Sequence, residues 1–480
     1  MSKRPLSKTR RKRSARRRRA ARQRGAAFLM VLGALTILTV MLTELQDESS
    51  AELAGALQAR DAVVAEYAAK SGANLGRLLL AAEPTIRKAV GPILMMAFKG
   101  QAPQIPVWDF ADRVLGVFSD EAGAQSFAQF SGLDVSQGKN LGLTGAYFEL
   151  KVVDEDSKIN ANVRASEFSK VRLVAQLSSL LLGPQYDPLF ERKDGDGNYS
   201  DRQAICSALI DWTDPDQETQ LCDPTSQNAQ QMPAEDSYYE LLKVPYTRKN
   251  APFDSLEELH RVRGFSDDFW ATFVDPDPDK PEKRTMTVWG AAEGVNINTA
   301  APQTLLALVC SNALNSPPRL CTDPMEAQKF LTIVTLARGF TMGAPPFGSP
   351  KAFVSVLKGK GMLGPLFLAA GLEPVTLDSE ENAMKAMTTE SKVFSIYSAG
   401  VVRFGKRESR VATHTVVDFR GAPPPGQETN PDASASGSSG TGGTTSGSSS
   451  SNPDPTGVGS PLTRAIEASP AGNVVYFRID

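Results

Sequence analysis

Residues 26–43 (AAFLMVLGALTILTVMLT) contain no charged side chain, and the 25 positions before them hold 13 Lys or Arg and no acid. In helical form, 18 residues are about the least that cross the ~30 Å hydrocarbon layer of a bilayer. A polybasic flank stays on the cytoplasmic side of such a span, so the chain beyond it is exported. The overall charge of −2 hides this division, because of 52 basic and 54 acidic residues, 39 and 54 remain after position 25. A basic head therefore precedes a strongly acidic body. At 480 residues, 41% of them apolar, the chain is long enough for two or three domains with real cores.

Taken alone, the basic run also fits a nucleic-acid arm or a localisation tract, but its position directly before an apolar span favours a membrane flank. A cleaved secretory signal is the second alternative. It is disfavoured because Glu44, Asp47, Glu48 and then helix-forming sequence follow the span, although small residues recur near 54–59. Residues 51–82 keep helical spacing, with Leu53, Leu57, Val64 and Tyr67 on an apolar stripe and no proline before Pro84. The expectation is one long helix, half in the membrane and half emerging from it.

The string RGAAFL at positions 24–29 resembles the processing site of type IV pilins and pseudopilins. The resemblance implies that a prepilin peptidase cuts the bond between Gly25 and Ala26, and that Ala26 becomes the methylated amino terminus. Most members carry Glu at the fifth mature position, where this chain has Met30. A carboxylate in lipid is expensive unless paired, and in these filaments it is thought to pair with the terminal amine of the neighbouring subunit. A subunit without it suits the first place, at the tip, and its lack is a mark of the K-type minor pseudopilin of type II secretion. Strings similar to that family follow in its order: YFELKVV (147–153) with DEDSKINANV (154–163), ALIDWTDPDQE (208–218), AEDSYY (234–239), PFDSLEELHRVRGF (252–265) and VNINTA (295–300). The resemblance covers almost the whole chain from Gly25 to Phe419.

Physically, Ser255 to Glu258 reads as a capping box, with Leu256, Leu259 and Val262 as an apolar face and Gly264 as the stop. Asn298, Thr299 and Pro302 read as the opening of a second helix carrying Leu305, Leu306, Leu308 and Val309. Both segments resemble helix-hairpin-helix or SAM-like units, some of which bind DNA through a Gly-x-Gly turn. Here Arg263-Gly264-Phe265-Ser266 has one Gly, and the acidic exported region lacks the cations that phosphate binding requires.

Asp211, Asp214, Asp216, Glu218, Glu235 and Asp236 offer hard oxygen ligands at spacings from which Ca²⁺ sites are assembled. The plainer reading is that Asp211 and Asp214 cap a helix end and a Pro turn while the other acids are solvated. The family resemblance implies calcium, and the motif-matched carboxylates are Asp214, Asp216, Glu235 and Asp236. A second acidic loop, Asp194-Gly195-Asp196-Gly197-Asn198, matches the start of an EF-hand loop, but Tyr199 and Ile205 stand where Gly and Glu are needed.

Cys206 and Cys222, and Cys310 and Cys321, form two near pairs, suited to closing local loops in an oxidising compartment, and sequence permits three connectivities. No CxxC occurs, which argues against zinc. His260 and His414 are the two histidines of the chain, and neither lies in a recognised nucleophile motif; no GxSxG, Walker or Rossmann signature is present.

Residues 392–404 and 408–420 alternate as strands, and 473–480 (NVVYFRID) resumes the pattern after a Pro, Gly and Ser tract. The expected fold is α+β: a pseudopilin core with a long amino-terminal transmembrane helix, an antiparallel sheet and a large inserted α-helical, SAM-like domain. The expected divisions are a basic leader (1–25), a membrane span (26–43), helix and first core strand (44–163), the insert (164–391, in parts of about 164–280 and 281–391), core strands (392–420), a flexible loop (421–470) and a final strand (471–480). The expected function is a non-enzymatic tip subunit that helps initiate a pseudopilus for export across the outer membrane. Its expected partners are other minor pseudopilins, the major pseudopilin, a prepilin peptidase and inner-membrane lipid, with no nucleic acid. The expected place is the bacterial inner membrane, spanned once, with the amino terminus cytoplasmic and the rest periplasmic. The alternative functions are an exported DNA-uptake protein built on helix-hairpin-helix units and a membrane-anchored enzyme.

Overall fold

The computed structural model describes residues 8–98, 104–111, 115, 145–162, 167–193, 197, 199–215, 217, 219–220, 222, 236–290, 294–340, 345–405, 407–422 and 469–480. Helix α1 (Lys8–Phe98) is continuous for 91 residues, which at 1.5 Å per residue is about 140 Å. Among the described residues it is the helix long and apolar enough to cross a membrane, and its most apolar window is covered by nothing else in the chain. Inside that window the Thr36, Thr39 and Thr43 hydroxyls donate back to the carbonyls of Gly33, Leu35 and Val40, so each is satisfied within the helix.

The expected single long helix is formed. It runs through Pro84 and Pro92. Each proline forfeits one helical hydrogen bond, and next to Pro84 the buried Glu83 accepts instead from the Ile105 amide at 3.0 Å, stitching the following segment to the helix. The Leu53 and Tyr67 side chains of the expected stripe are exposed. The face that does pack is made of small residues: Ala65, Ala68, Ala69, Gly72, Ala73 and Gly76, ending in Leu80 and Ala81.

That face lies on a sheet. Strands β1 (Ala146–Asp154), β6 (Val393–Phe404), β7 (Arg407–Asp418) and β8 (Asn473–Ile479) form an antiparallel sheet in the order β1-β6-β7-β8, with the segments between β1 and β6 inserted between neighbouring strands. Phe148, Leu150, Val152, Phe394, Ile396 and Val417 face α1 together with Trp108 from the segment after it. A Cβ at Gly400, in the middle of β6, would stand 1.8 Å from the Ala65 carbonyl oxygen, and one at Gly72 would stand 2.5 Å from Ser398 Oγ. Helix and sheet therefore touch backbone to backbone. The last strand is fastened by Arg77, whose guanidinium donates to the carbonyls of Ala471 and Gly472 at 3.1 and 3.0 Å.

The insert holds two cores. The first gathers α2 (Glu167–Leu181), α3 (Arg202–Thr213) and the aromatic run Phe265, Phe269 and Phe273. The second gathers α4 (Pro302–Cys310), α5 (Pro324–Phe340) and α6 (Pro350–Leu357). Between them, β3 (Met286–Thr287) pairs with β2 (Ile159–Asn160), while β4 (Val295–Asn296) pairs with β5 (Met387–Thr388). Leu256, Leu259 and Val262 are buried as the spacing predicts. The capping box is not formed, since Leu256–Arg261 is a 3-10 turn whose Ser255 makes no side-chain cap and whose Glu258 accepts from the Asp254 amide. Nor do Asn298 and Thr299 cap α4. Pro302 starts it with fixed φ, Asn298 bonds both the amide and the carbonyl of Phe347, and Thr299 reaches Asp154.

Substituting Gly400→Val should therefore force α1 from the sheet and destabilise the fold by about 1–3 kcal/mol or more. Urea unfolding of the full chain in detergent measures this; an unchanged midpoint would contradict the contact described.

Candidate functional site

Asp211 and Asp214 stand at the carboxyl end of α3, begun by Asp201, which accepts from the Ala204 amide at 2.7 Å. The next loop is tied back to this helix twice. Asp211 Oδ1 accepts from the Gln220 amide at 2.8 Å, and Cys206 is disulfide-bonded to Cys222. The second pair is Cys310–Cys321, so of the three connectivities the structure takes the one with two local loops. Trp212 is buried among Tyr239, Tyr246 and Phe253, which holds the end of α3 in place.

The carboxylates converge on Arg248, which is 5% exposed. Its guanidinium lies 3.2 Å from Asp236 Oδ1 and 4.0 Å from Asp214 Oδ1, and it donates to the Asp211 carbonyl at 2.6 Å. Lys170, from α2, donates to Asp214 Oδ2 at 3.1 Å. Arg248 and Lys170 come from 34 and 44 residues away from Asp214 in sequence, so no local spacing announced them.

Of the four expected calcium ligands, Asp214 and Asp236 are thus brought together, while Asp216 and Glu235, like Glu218, lie outside the described residues, as do Asp194, Gly195, Asp196 and Asn198 of the second acidic loop. Among the described residues no three His, Cys, Asp or Glu side chains stand close enough to hold a metal ion. The half of the site that is described fits an ion-pair network centred on a guanidinium, and by itself does not fit a cation.

The Gly264 turn points inward. Its φ is +84°, and a Cβ there would stand 2.3 Å from Ile205, so the glycine is required by packing rather than by a phosphate. Ser395 and His414 approach nucleophile and base geometry, with Oγ and Nε2 3.0 Å apart, but they are 0% and 5% exposed. His414 stacks on Tyr397, and burial pushes its pKa down to about 4. No substrate reaches this pair. His260 stacks on Trp270 at the surface. Ala26 and Met30 lie exposed on α1, which passes through Gly25 without a break.

A single long apolar helix packed on an antiparallel sheet, with a helical insert between adjacent strands, is the α+β class expected of a pseudopilin. Residues 183–273 match the family model described as type II secretion system (T2SS), protein K, in keeping with the K-type resemblance read in the motifs. A solved structure, the GspK-GspI-GspJ complex of the type 2 secretion system of enterotoxigenic Escherichia coli, is similar over 57% of this chain and 75% of that one, at 15% identity and a TM-score of 0.33. No curated protein compared with the chain matches it.

Replacing Arg248 by Ala leaves the buried Asp214 and the half-exposed Asp236 repelling one another. Loss of one partner of a buried pair costs about 3–5 kcal/mol, and the expected value here is at the lower end because Asp236 is partly solvated and Lys170 remains. Thermal melting of the variant checks it; a melting temperature equal to that of the parent protein would show that Arg248 does not hold the two acids.

Proposed function

We propose that this chain is a non-enzymatic minor pseudopilin that sits at the tip of a periplasmic pseudopilus and helps initiate its assembly for export across the outer membrane. The observation that carries the reading is the family match of residues 183–273 to the K protein, lying within the insert of a sheet held by the long helix. Prepilin peptidase removes the basic head after Gly25, and Ala26 becomes the new amino terminus. The span at 26–43 stays in the inner membrane with its basic flank on the cytoplasmic side. Met30 in place of a carboxylate leaves no acid to be paired in lipid, which suits a first subunit. The exposed Leu53 and Tyr67, turned away from the sheet, meet the helices of other minor pseudopilins and of the major pseudopilin.

Co-expression with a prepilin peptidase followed by mass spectrometry of the amino terminus is the test. A terminus at methylated Ala26 is expected. An intact head, or a cut well after Leu42, overturns the reading.

The proposal includes a calcium ion shared by Asp214, Asp216, Glu235 and Asp236. At a hundredfold excess over its dissociation constant, a ligand of the folded state stabilises by about 2.7 kcal/mol. Calcium should therefore raise the melting temperature of the full chain relative to chelator, and Asp214→Ala should abolish the rise; no rise in the parent protein would remove calcium from the proposal.

A further inference from the structure

We infer that the tip of β1 is a proton-responsive joint, in which Asp154 fastens the helical insert to the sheet when protonated and loosens it when ionised.

The geometry sets the role. The chain leaves the sheet at Asp154 and rejoins it at Ser391–Val393, and both crossings meet at one carboxyl group. Asp154 Oδ2 accepts from Ser391 Oγ and from Thr299 Oγ1, each at 2.5 Å. Ser391 Oγ also accepts from Asn296 Nδ2 at 2.6 Å. The Ser391 backbone exchanges two hydrogen bonds with the Gln104 side chain, which belongs to the segment after α1. Four stretches of chain therefore hang on this pair: the end of β1, the second core of the insert, the approach to β6, and the segment after the long helix.

The electrostatics set the sensitivity. Asp154 is 4% exposed, and its Oδ1 is buried with no hydrogen-bond partner among the described residues. Hydroxyl groups are its partners, and among the described residues no cation is bonded to it. The nearby buried cation, Lys158, is committed to Glu155 at 2.7 Å with both side chains 1% exposed. Asp156 adds a second carboxylate next to Asp154, with its Oδ2 held by the Lys392 and Val393 amides. The charged groups facing the joint are thus Asp156, Glu155 and Lys158 from the same turn, with Arg420 and Asp418 from the end of β7 acting on Asp156. An isolated buried carboxylate is expensive, and it escapes the expense by taking a proton or by letting water in.

Burial first, and the Asp156 charge second, raise the Asp154 pKa from 3.8 to about 7. A group whose pKa is higher in the closed state than in the open one stabilises the closed state fully below the open-state value. That stabilisation is lost as pH rises through the closed-state value. The joint is therefore tightest below about pH 4 and fully loosened only above about pH 7.

Hydrogen exchange of the full chain in detergent, corrected for intrinsic chemical rates, reads the joint directly. Between about pH 5 and 8, protection of peptides covering 154–162 and 386–393 should fall on the order of ten- to a hundredfold, as linkage of one such proton requires, relative to peptides from the middle of β7. Asp154→Asn should make the ratio independent of pH. Asp156→Asn, which removes the neighbouring charge and leaves Asp154 in place, should move the midpoint to lower pH and serves as the test if the first variant fails to fold. Joint peptides that track β7 across the pH range, a pH-dependent ratio that persists in Asp154→Asn, or an unmoved midpoint in Asp156→Asn would each overturn the proposal.

Discussion

The contact between α1 and β6 at Ala65 and Gly400 is what the rest of the molecule depends on. A backbone carbonyl of the helix lies where the side chain of any residue other than glycine would begin, and the alanines on either side leave no bulk to hold the two elements apart. Small residues give up buried area, roughly 25 cal/mol for each Å², but they gain close packing over a long stretch. Larger apolar groups of the sheet, Phe148, Leu150 and Ile396, fill the space farther along, beside Leu80 and Trp108. With β1 and β6 fixed side by side under the helix, the insert can grow from between them without disturbing the core.

The elements whose period is set by burial were legible in the sequence. The strands alternate because one face meets α1, and the span announces itself by its lack of charge. What was not legible depends on partners distant in the chain. The apolar stripe of Leu53 and Tyr67 obeys helical spacing, yet the face chosen is the one small enough to approach a sheet, and spacing says nothing about the partner's shape. Pro84 and Pro92 lie inside the helix, and beside the first of them the Ile105 amide, bonded to Glu83, joins the following segment to it. At Ser255 and Asn298 capping chemistry was present in the sequence and was used otherwise, by a 3-10 turn and by a bridge to Phe347. In the acidic cluster the carboxylates were recognisable, whereas the guanidinium between them was not.

Buried charge is handled in three ways in this chain. Glu155 and Lys158 form a buried pair in which burial acts against the charge, but the lysine together with the Ser395 and Thr287 hydroxyls holds the glutamate below its usual pKa. Asp214 and Asp236 share Arg248 near the surface. Asp154 receives hydroxyl groups alone. Pairs of the first kind favour a fixed geometry, while a carboxyl group served by neutral donors leaves its protonation to the medium. That contrast separates the parts of the insert that are merely held from the point at which it is attached.

Between the span and the first sheet contact, residues 44–60 of α1 touch almost nothing else and yet never leave the helix. That stretch behaves as a shaft. Each residue of an α-helix turns it by about 100° and advances it by about 1.5 Å, so the number of residues in the shaft fixes both the distance of the sheet from the apolar span and the compass direction in which the insert points. Adding or removing one residue would swing the sheet and insert by about a quarter of a circle, whereas a change of about one turn, near 3.6 residues, would restore their bearing at a new distance from the span. The length of this bare segment is therefore as much a determinant of where the insert points as any side chain in the contact itself.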